Sequence, residues 1–283
     1  MMIYKQYNQQ QLNDQYNNRL HVPDHAIYIE RWDKLSKETR EKYTLIKDIA
    51  YGEKPGEQLD VFPSAKTNSK TLVYIHGGYW QFFDKENFHF IANGFCDYNV
   101  TTVVINYPLA PAASLDRIVA SCRKALLWLH QNISQFNGDP GKIFIAGHSA
   151  GGQLASMLLE KKWVENNNAY FIKGVCTLSA VFNLEPIRLS NYNTVLNLNR
   201  EMALRNSAVT LTPANICPLL LFAGAYETDE FKTQSLELYN NWKDKNIHTT
   251  FLQLPGIHHF SIPETLTDQG TMVHLAMRNL MNI

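Results

Sequence analysis

The sequence predicts an α/β fold with a mostly parallel central sheet covered by helices on both faces. Three observations lead there. From residue 71 onward, short β-type apolar runs alternate with runs of helical spacing, the order expected of a covered parallel sheet. Gly147-His148-Ser149-Ala150-Gly151 lies between one such apolar run and a helical run, so a sharp strand-to-helix turn sits in the middle of the pattern. And 283 residues, 45% of them hydrophobic, are enough for one large core.

Residues 1–43 are polar, with scattered aromatics Tyr7, Tyr16, Tyr28 and Trp32. The helical spacing of Trp32, Leu35 and Thr39 suggests a helical arm lying across the body. Residues 44–51 and 58–62 read as strands joined through Gly52-Glu53-Lys54-Pro55-Gly56, which is hairpin chemistry. A polar loop, 64–70, precedes a strand over 71–75 that ends at His76-Gly77-Gly78. A helix over 86–98 and a strand over 100–106 follow. Residues 115–130 form an amphipathic helix with Ile118, Cys122, Ala125, Leu126 and Leu129 on one face. The strand 143–146 feeds the glycine-flanked serine, and a helix over 153–162 leaves it. Residues 174–179 make a further strand. Residues 185–206 interrupt the rhythm with mixed Leu, Ile, Tyr, Asn and Arg and are a candidate lid. The strand 219–223, helix 231–245, strand 249–254 and helix 265–280 complete one domain spanning 1–283, without internal repeats.

Composition narrows the partners. With 26 basic and 26 acidic residues the formal charge is zero, which disfavours nucleic acid. No run approaches the roughly 20 apolar residues of a membrane span. The start, Met1-Met2-Ile3-Tyr4-Lys5-Gln6, lacks an apolar secretory core, so the expectation is a cytoplasmic protein with no membrane partner. Cys96, Cys122, Cys176 and Cys217 are widely spaced and have no metal-ligand pattern. They are expected to be buried free thiols, with neither metal nor cofactor. A homodimer is left open.

Chemistry converges on Ser149. A serine hydroxyl is a weak nucleophile at neutral pH and needs a base, which in turn needs an orienting carboxylate. Both must come from loops at the carboxyl edge of the sheet. The loop after 219–223 carries Glu227, Asp229 and Glu230, and the loop after 249–254 carries His258 and His259. Glu227, nearest the strand, is preferred as the acid. Asp229 stays open, although it and Glu230 also suit the first turn of the next helix. His259 is preferred as the base over His258, and His148 is expected to be a packed neighbour. An oxyanion hole needs converging N–H groups. Ala150 supplies one, and Gly77, Gly78 and Tyr79 are candidates for the others, with His76 holding their loop.

These residues resemble the α/β-hydrolase superfamily, and within it the branch carrying H-G-G-x-W that includes kynurenine formamidase (arylformamidase). The matching stretches are His76-Gly77-Gly78-Tyr79-Trp80-Gln81, the Gly147 to Gly151 turn and Ser179-Ala180-Val181-Phe182-Asn183-Leu184-Glu185-Pro186-Ile187. Arg205-Asn206-Ser207, Glu230-Phe231 with Gln234-Ser235, and His259-Phe260 complete them. The resemblance implies a Ser149 nucleophile, a His259 base and an acid after Gly224, where the family usually has Asp at the position of Glu227. It implies a small-molecule substrate with an ester or formamide group, foremost N-formyl-kynurenine. A broad-range carboxylesterase for short acyl or aryl esters is the alternative, and an inactive fold that binds a small ligand is a third reading. Tyr79 and Trp80, with Phe82, Phe182 and Tyr192, are candidates to line a pocket for an aromatic group or simply to pack.

Overall fold

The computed structural model describes residues 1–245 and 247–283. Its strands are β1 (Ile46–Ala50), β2 (Gln58–Phe62), β3 (Ser69–Ile75), β4 (Thr101–Ile105), β5 (Gly138–His148), β6 (Ile172–Leu178), β7 (Leu219–Gly224) and β8 (Thr249–Leu254). They form one sheet in the order β1-β2-β4-β3-β5-β6-β7-β8. β2 runs antiparallel to β1 and β4, and every pairing from β4 to β8 is parallel. The helices are α1 (Gln9–Tyr16), α2 (Asn18–His21), α3 (His25–Lys42), α4 (Leu115–Asn132), α5 (Ala150–Met157) and α6 (Lys161–Asn167). Then come α7 (Glu185–Leu189), α8 (Asn193–Leu196), α9 (Arg200–Arg205), α10 (Asp229–Lys243) and α11 (Met272–Met281).

Alternation along each strand sends side chains to opposite faces of the sheet, and both faces are buried. Val73 and Ile75 of β3 join Ile143 and Ile145 of β5 in a core with Ile118, Cys122 and Leu126 of α4 and Phe231 and Trp242 of α10. Leu72 and Tyr74, one residue out of phase, join Phe144 and Ala146 in a second core with Trp32 of α3 and Met277 of α11. The register aligns Ile75 with Gly147 and His148 with Leu178, so the loops after β3, β5 and β6 leave from one edge.

The first 42 residues are tied to the body at both ends of their course. Tyr16 is wholly buried, donates from its hydroxyl to Glu230 Oε2 at 3.1 Å and accepts from Gln234 Nε2 at 2.8 Å. Trp32 packs among Phe83, Phe88, Phe90 and Phe260. Residues 185–206 hold α7, α8 and α9. Among the described residues no helix is long and apolar enough to cross a membrane.

Three element expectations are corrected. In place of an α-helix over 86–98 there is a 3-10 helix, Lys85–Gly94, and a shorter one, Cys96–Tyr98. The reason lies in α3: Phe90 N–H donates to Ser36 Oγ and Glu86 C=O accepts from Arg40, which takes both partners of an i to i+4 bond. The helix after Ser149 begins at Ala150 and stops at Met157, because Lys161 N–H and Leu159 C=O bond to the segment around Pro213; α6 then starts separately. The C-terminal helix begins at Met272 after a turn in which Asp268 Oδ1 accepts from Gly270 N–H and the Thr271 side chain caps His274 N–H.

Candidate active site

Ser149 sits between β5 and α5 with φ 54° and ψ −120°, a strained conformation for a non-glycine residue. The tightness of this turn explains its glycines. A Cβ on Gly147 would lie 2.3 Å from Gly151 O, and one on Gly151 would lie 2.0 Å from Ile75 O. Ser149 N–H donates to Leu178 O at 2.8 Å, which anchors the turn to β6.

His259 arrives on the loop after β8, and its Nε2 lies 3.1 Å from Ser149 Oγ. Its Nδ1 lies 2.7 Å from Glu227 Oε1. The second carboxylate oxygen, Oε2, accepts from Ser179 Oγ at 2.6 Å and Gly224 N–H at 2.8 Å. Glu227 and His259 are buried, so this chain runs through a protected interior where its hydrogen bonds are little weakened by water. Asp229 stands apart: its side chain is exposed and pairs with Lys232. His258 is also elsewhere, with Nδ1 accepting from the N–H groups of Phe260 and Ser261.

His148 is buried beside the serine, and its Nε2 donates to His259 C=O at 3.0 Å. Burial, reinforced by the neighbouring His259, holds it neutral, well below the ordinary histidine range. It buttresses the loop that carries His259.

The loop after β3 faces the serine. Gly78 has φ 112°, and Tyr79 and Trp80 also have positive φ, so its backbone follows a path most side chains resist. Among the described residues, the N–H groups of Gly77, Gly78 and Tyr79 donate to no protein acceptor. The Ala150 N–H, at the first position of α5, is equally unengaged. His76 supports the loop: its Nδ1–H donates to Gly77 O at 2.8 Å, and its ring stacks on Tyr107 and Phe88. Burial lowers its pKa to about 4.

A cavity of about 510 Å³ opens above Ser149 and His259. Gly78, Tyr79, Phe82 and Tyr192 line it, and the Tyr79 and Tyr192 rings stack 3.9 Å apart. Trp80 is a correction. It is wholly buried behind the loop, where its indole N–H donates to Gln153 Oε1 at 3.1 Å, and it does not reach the cavity wall. An indole N–H is satisfied in the interior only where an acceptor is fixed, and Gln153 is held by Asn206 C=O. Phe182 is likewise fully buried.

Several wall residues were not anticipated from sequence. Residues 17–20 and Trp32 come from the N-terminal helices, and Phe83 and Phe260 add aromatic surface. The aromatic character of Trp32, Phe83 and Phe260 was a visible signal. Nothing in the polar run around Asn17 marked it. Ser179 enters the sequence reading only within a motif stretch; its position directly after β6 is the signal that it shares the edge with Ser149.

Comparison with known proteins bears on this geometry. A family profile described as an alpha/beta hydrolase fold matches residues 72–216. The chain is 32% identical over 234 residues to kynurenine formamidase of Danio rerio, covering 80% of this chain and 78% of the relative. It is 26% identical to kynurenine formamidase of Drosophila melanogaster, covering 98% and 95%. Esterase B of Lactobacillus rhamnosis superimposes with a TM-score of 0.73 at 15% identity, covering 94% and 95% of the two chains, which is a likeness of fold.

Proposed function

Because the chain belongs to the α/β-hydrolase family, we propose that it is a serine hydrolase that removes the formyl group of N-formyl-kynurenine, giving kynurenine and formate. The observation that carries the chemistry is the continuous hydrogen-bonded path from Glu227 through His259 to Ser149, opening into an aromatic-walled cavity. The choice of substrate leans on the two formamidase relatives.

In this reading Ser149 Oγ attacks the formyl carbon while His259 Nε2 takes its proton, and Glu227 holds the resulting imidazolium in place. The oxyanion is held by Ala150 N–H and by the free amides of the loop after β3, drawn from Gly77, Gly78 and Tyr79. Collapse breaks the C–N bond, and His259 returns the proton to the departing aryl amine. Water, deprotonated by His259, then attacks the formyl ester on Ser149, and formate leaves with the serine restored. The aromatic wall suits a planar aryl leaving group, which can stack on Tyr79 and Tyr192 or meet Trp32 and Phe260. A reducing, cytoplasmic setting accords with four unpaired cysteines.

The test compares kcat/KM for N-formyl-kynurenine with that for p-nitrophenyl acetate. Formamide turnover that disappears in Ser149→Ala is the expected result. Brisk ester hydrolysis with no formamide turnover would move the enzyme to the carboxylesterase reading. A wild-type protein that fails to label with an organophosphonate probe would return it to an inactive binder.

A further inference from the structure

Among the described residues, Arg19 is the one formally charged side chain on the wall of the cavity above Ser149. It belongs to α2, is exposed at the mouth, and lies with its guanidinium carbon 5.6 Å from the centroid of the Phe82 ring, which is also on the wall. Among the described residues no carboxylate lies within 4.0 Å of it and it donates no hydrogen bond. Arg31 pairs with Glu264 and Arg205 with Asp116, so arginines at helix surfaces here do find carboxylates where one is in reach. Beside it, Asn18 lines the same cavity, is 94% buried, and leaves its side-chain Nδ2 without a partner. A buried amide with an unmet donor is costly unless a ligand or water completes it.

We propose that Arg19 and Asn18 form an anion subsite at the cavity mouth that takes the carboxylate of the substrate's amino-acid tail while the acyl group reaches Ser149 on the floor. The proposal rests on the formamidase reading for the identity of that tail, though not for the existence of the subsite. Three features carry it. The guanidinium is a planar fork of donors suited to a carboxylate, and Phe82 supports one face of it while leaving its edge free. Asn18 offers a further donor at a desolvated position. The rest of the wall is aromatic or neutral, so the aryl ring and the carboxylate of such a substrate each meet complementary surface, whereas a second negative group elsewhere on the wall finds no partner. Specificity for an acyl-aryl amide with a carboxylate tail over one without therefore comes from α2, a four-residue helix that supplies none of the groups assigned to bond breaking.

Because Arg19 is exposed, water and salt screen its charge, and the effect lies toward the modest end for a charge-assisted hydrogen bond. The experiment measures kcat/KM for N-formyl-kynurenine and its carboxamide, which differ only in the charge of the tail. In Arg19→Met the ratio of carboxylate to carboxamide is expected to fall about 10-fold, through KM. Arg19→Lys should recover part of the ratio, and added salt should lower it in the wild type. A ratio unchanged in Arg19→Met overturns the subsite. A second pair, a phenyl acetate bearing a propionate tail and its propionamide twin, reports on the subsite without any formamide. If the wild type leaves N-formyl-kynurenine intact but prefers the propionate ester, and Arg19→Met abolishes that preference, the formamidase reading falls and the subsite stands. No preference for the anionic member of either pair overturns the subsite itself.

Discussion

Ser179 Oγ donates a 2.6 Å hydrogen bond to Glu227 Oε2, the carboxylate oxygen that faces away from His259. Ser179 directly follows β6 and has φ 49°, so its hydroxyl is aimed by a constrained backbone. Glu227 is therefore clamped from both sides: Oε1 is committed to the imidazole, and Oε2 to Ser179 and Gly224 N–H. A glutamate, one methylene longer than an aspartate, has an extra torsion to fix, and the clamp fixes it.

Removing that clamp should loosen the acid without abolishing it. Ser179→Ala is expected to lower kcat by about 10-fold with KM little changed, the magnitude of one hydrogen bond to a charged group. Steady-state kinetics decide the matter; a change confined to KM would assign Ser179 a different role.

The identity of the acid is open to a direct comparison. Glu227→Ala should lower kcat by roughly 10³- to 10⁴-fold, as expected when the base loses its orienting carboxylate. Asp229→Ala should alter it by less than about twofold, because Asp229 is exposed and pairs with Lys232. Thermal melts of both variants would show that neither has simply unfolded. The reverse order of effects would transfer the role to Asp229.

Gly151→Ala sets two effects against each other. Within a helix, alanine is favoured over glycine by about 1 kcal/mol. Here the new Cβ would meet Ile75 O at 2.0 Å and His76 O at 2.4 Å, both backbone atoms that cannot yield without moving β3. The clash wins, and a net loss of about 2 to 3 kcal/mol is expected in urea unfolding. Activity should fall as well, since the displaced residues lead into the loop bearing Gly78 and Tyr79.

Stability should weaken in mild acid because of His76. Burial holds the folded pKa at about 4, below the ordinary 6.5, so the unfolded chain takes up the proton first as the pH falls. The contribution is fully present above about pH 6.5 and is lost progressively down to about pH 4, amounting to about 3 kcal/mol at most. The buried, neutral His148 acts in the same direction. Asp60 and Asp84, whose pKa values are lowered mainly by hydrogen bonds that outweigh burial, lose their contributions only at more acid pH. His76→Phe keeps the stacking and removes the proton site. Its urea midpoint should change less than that of the wild type between pH 7 and 4.5; parallel curves would exclude His76 as a source of the acid sensitivity.

Much of this protein was legible in the sequence because the signals are local. Alternating periodicity marks strands and helices, glycines mark the turn that exposes Ser149, and a residue placed just after a parallel strand must stand at one sheet edge. Those rules point to Ser149, Glu227, His259 and the Gly77 to Tyr79 loop, each after its own strand, and the family resemblance rests on the same stretches. Side-chain neighbours across the fold obey no such local rule. Whether Trp80 faces the cavity or the interior depended on where Gln153 presents its acceptor, and whether 86–98 would be α-helical depended on Ser36 and Arg40 in a distant helix. The cavity wall is the clearest case. Asn18 and Arg19 carry no periodic or motif signal, and only the burial of Tyr16 against Glu230 and Gln234, and of Trp32 among its aromatic neighbours, brings α2 over Ser149. The sequence by itself thus determined the fold class and the order of the loops that bring Ser149, Glu227 and His259 to one sheet edge. The tertiary structure decided what surrounds them, because packing is a property of residues far apart in the chain that meet only once the core has formed.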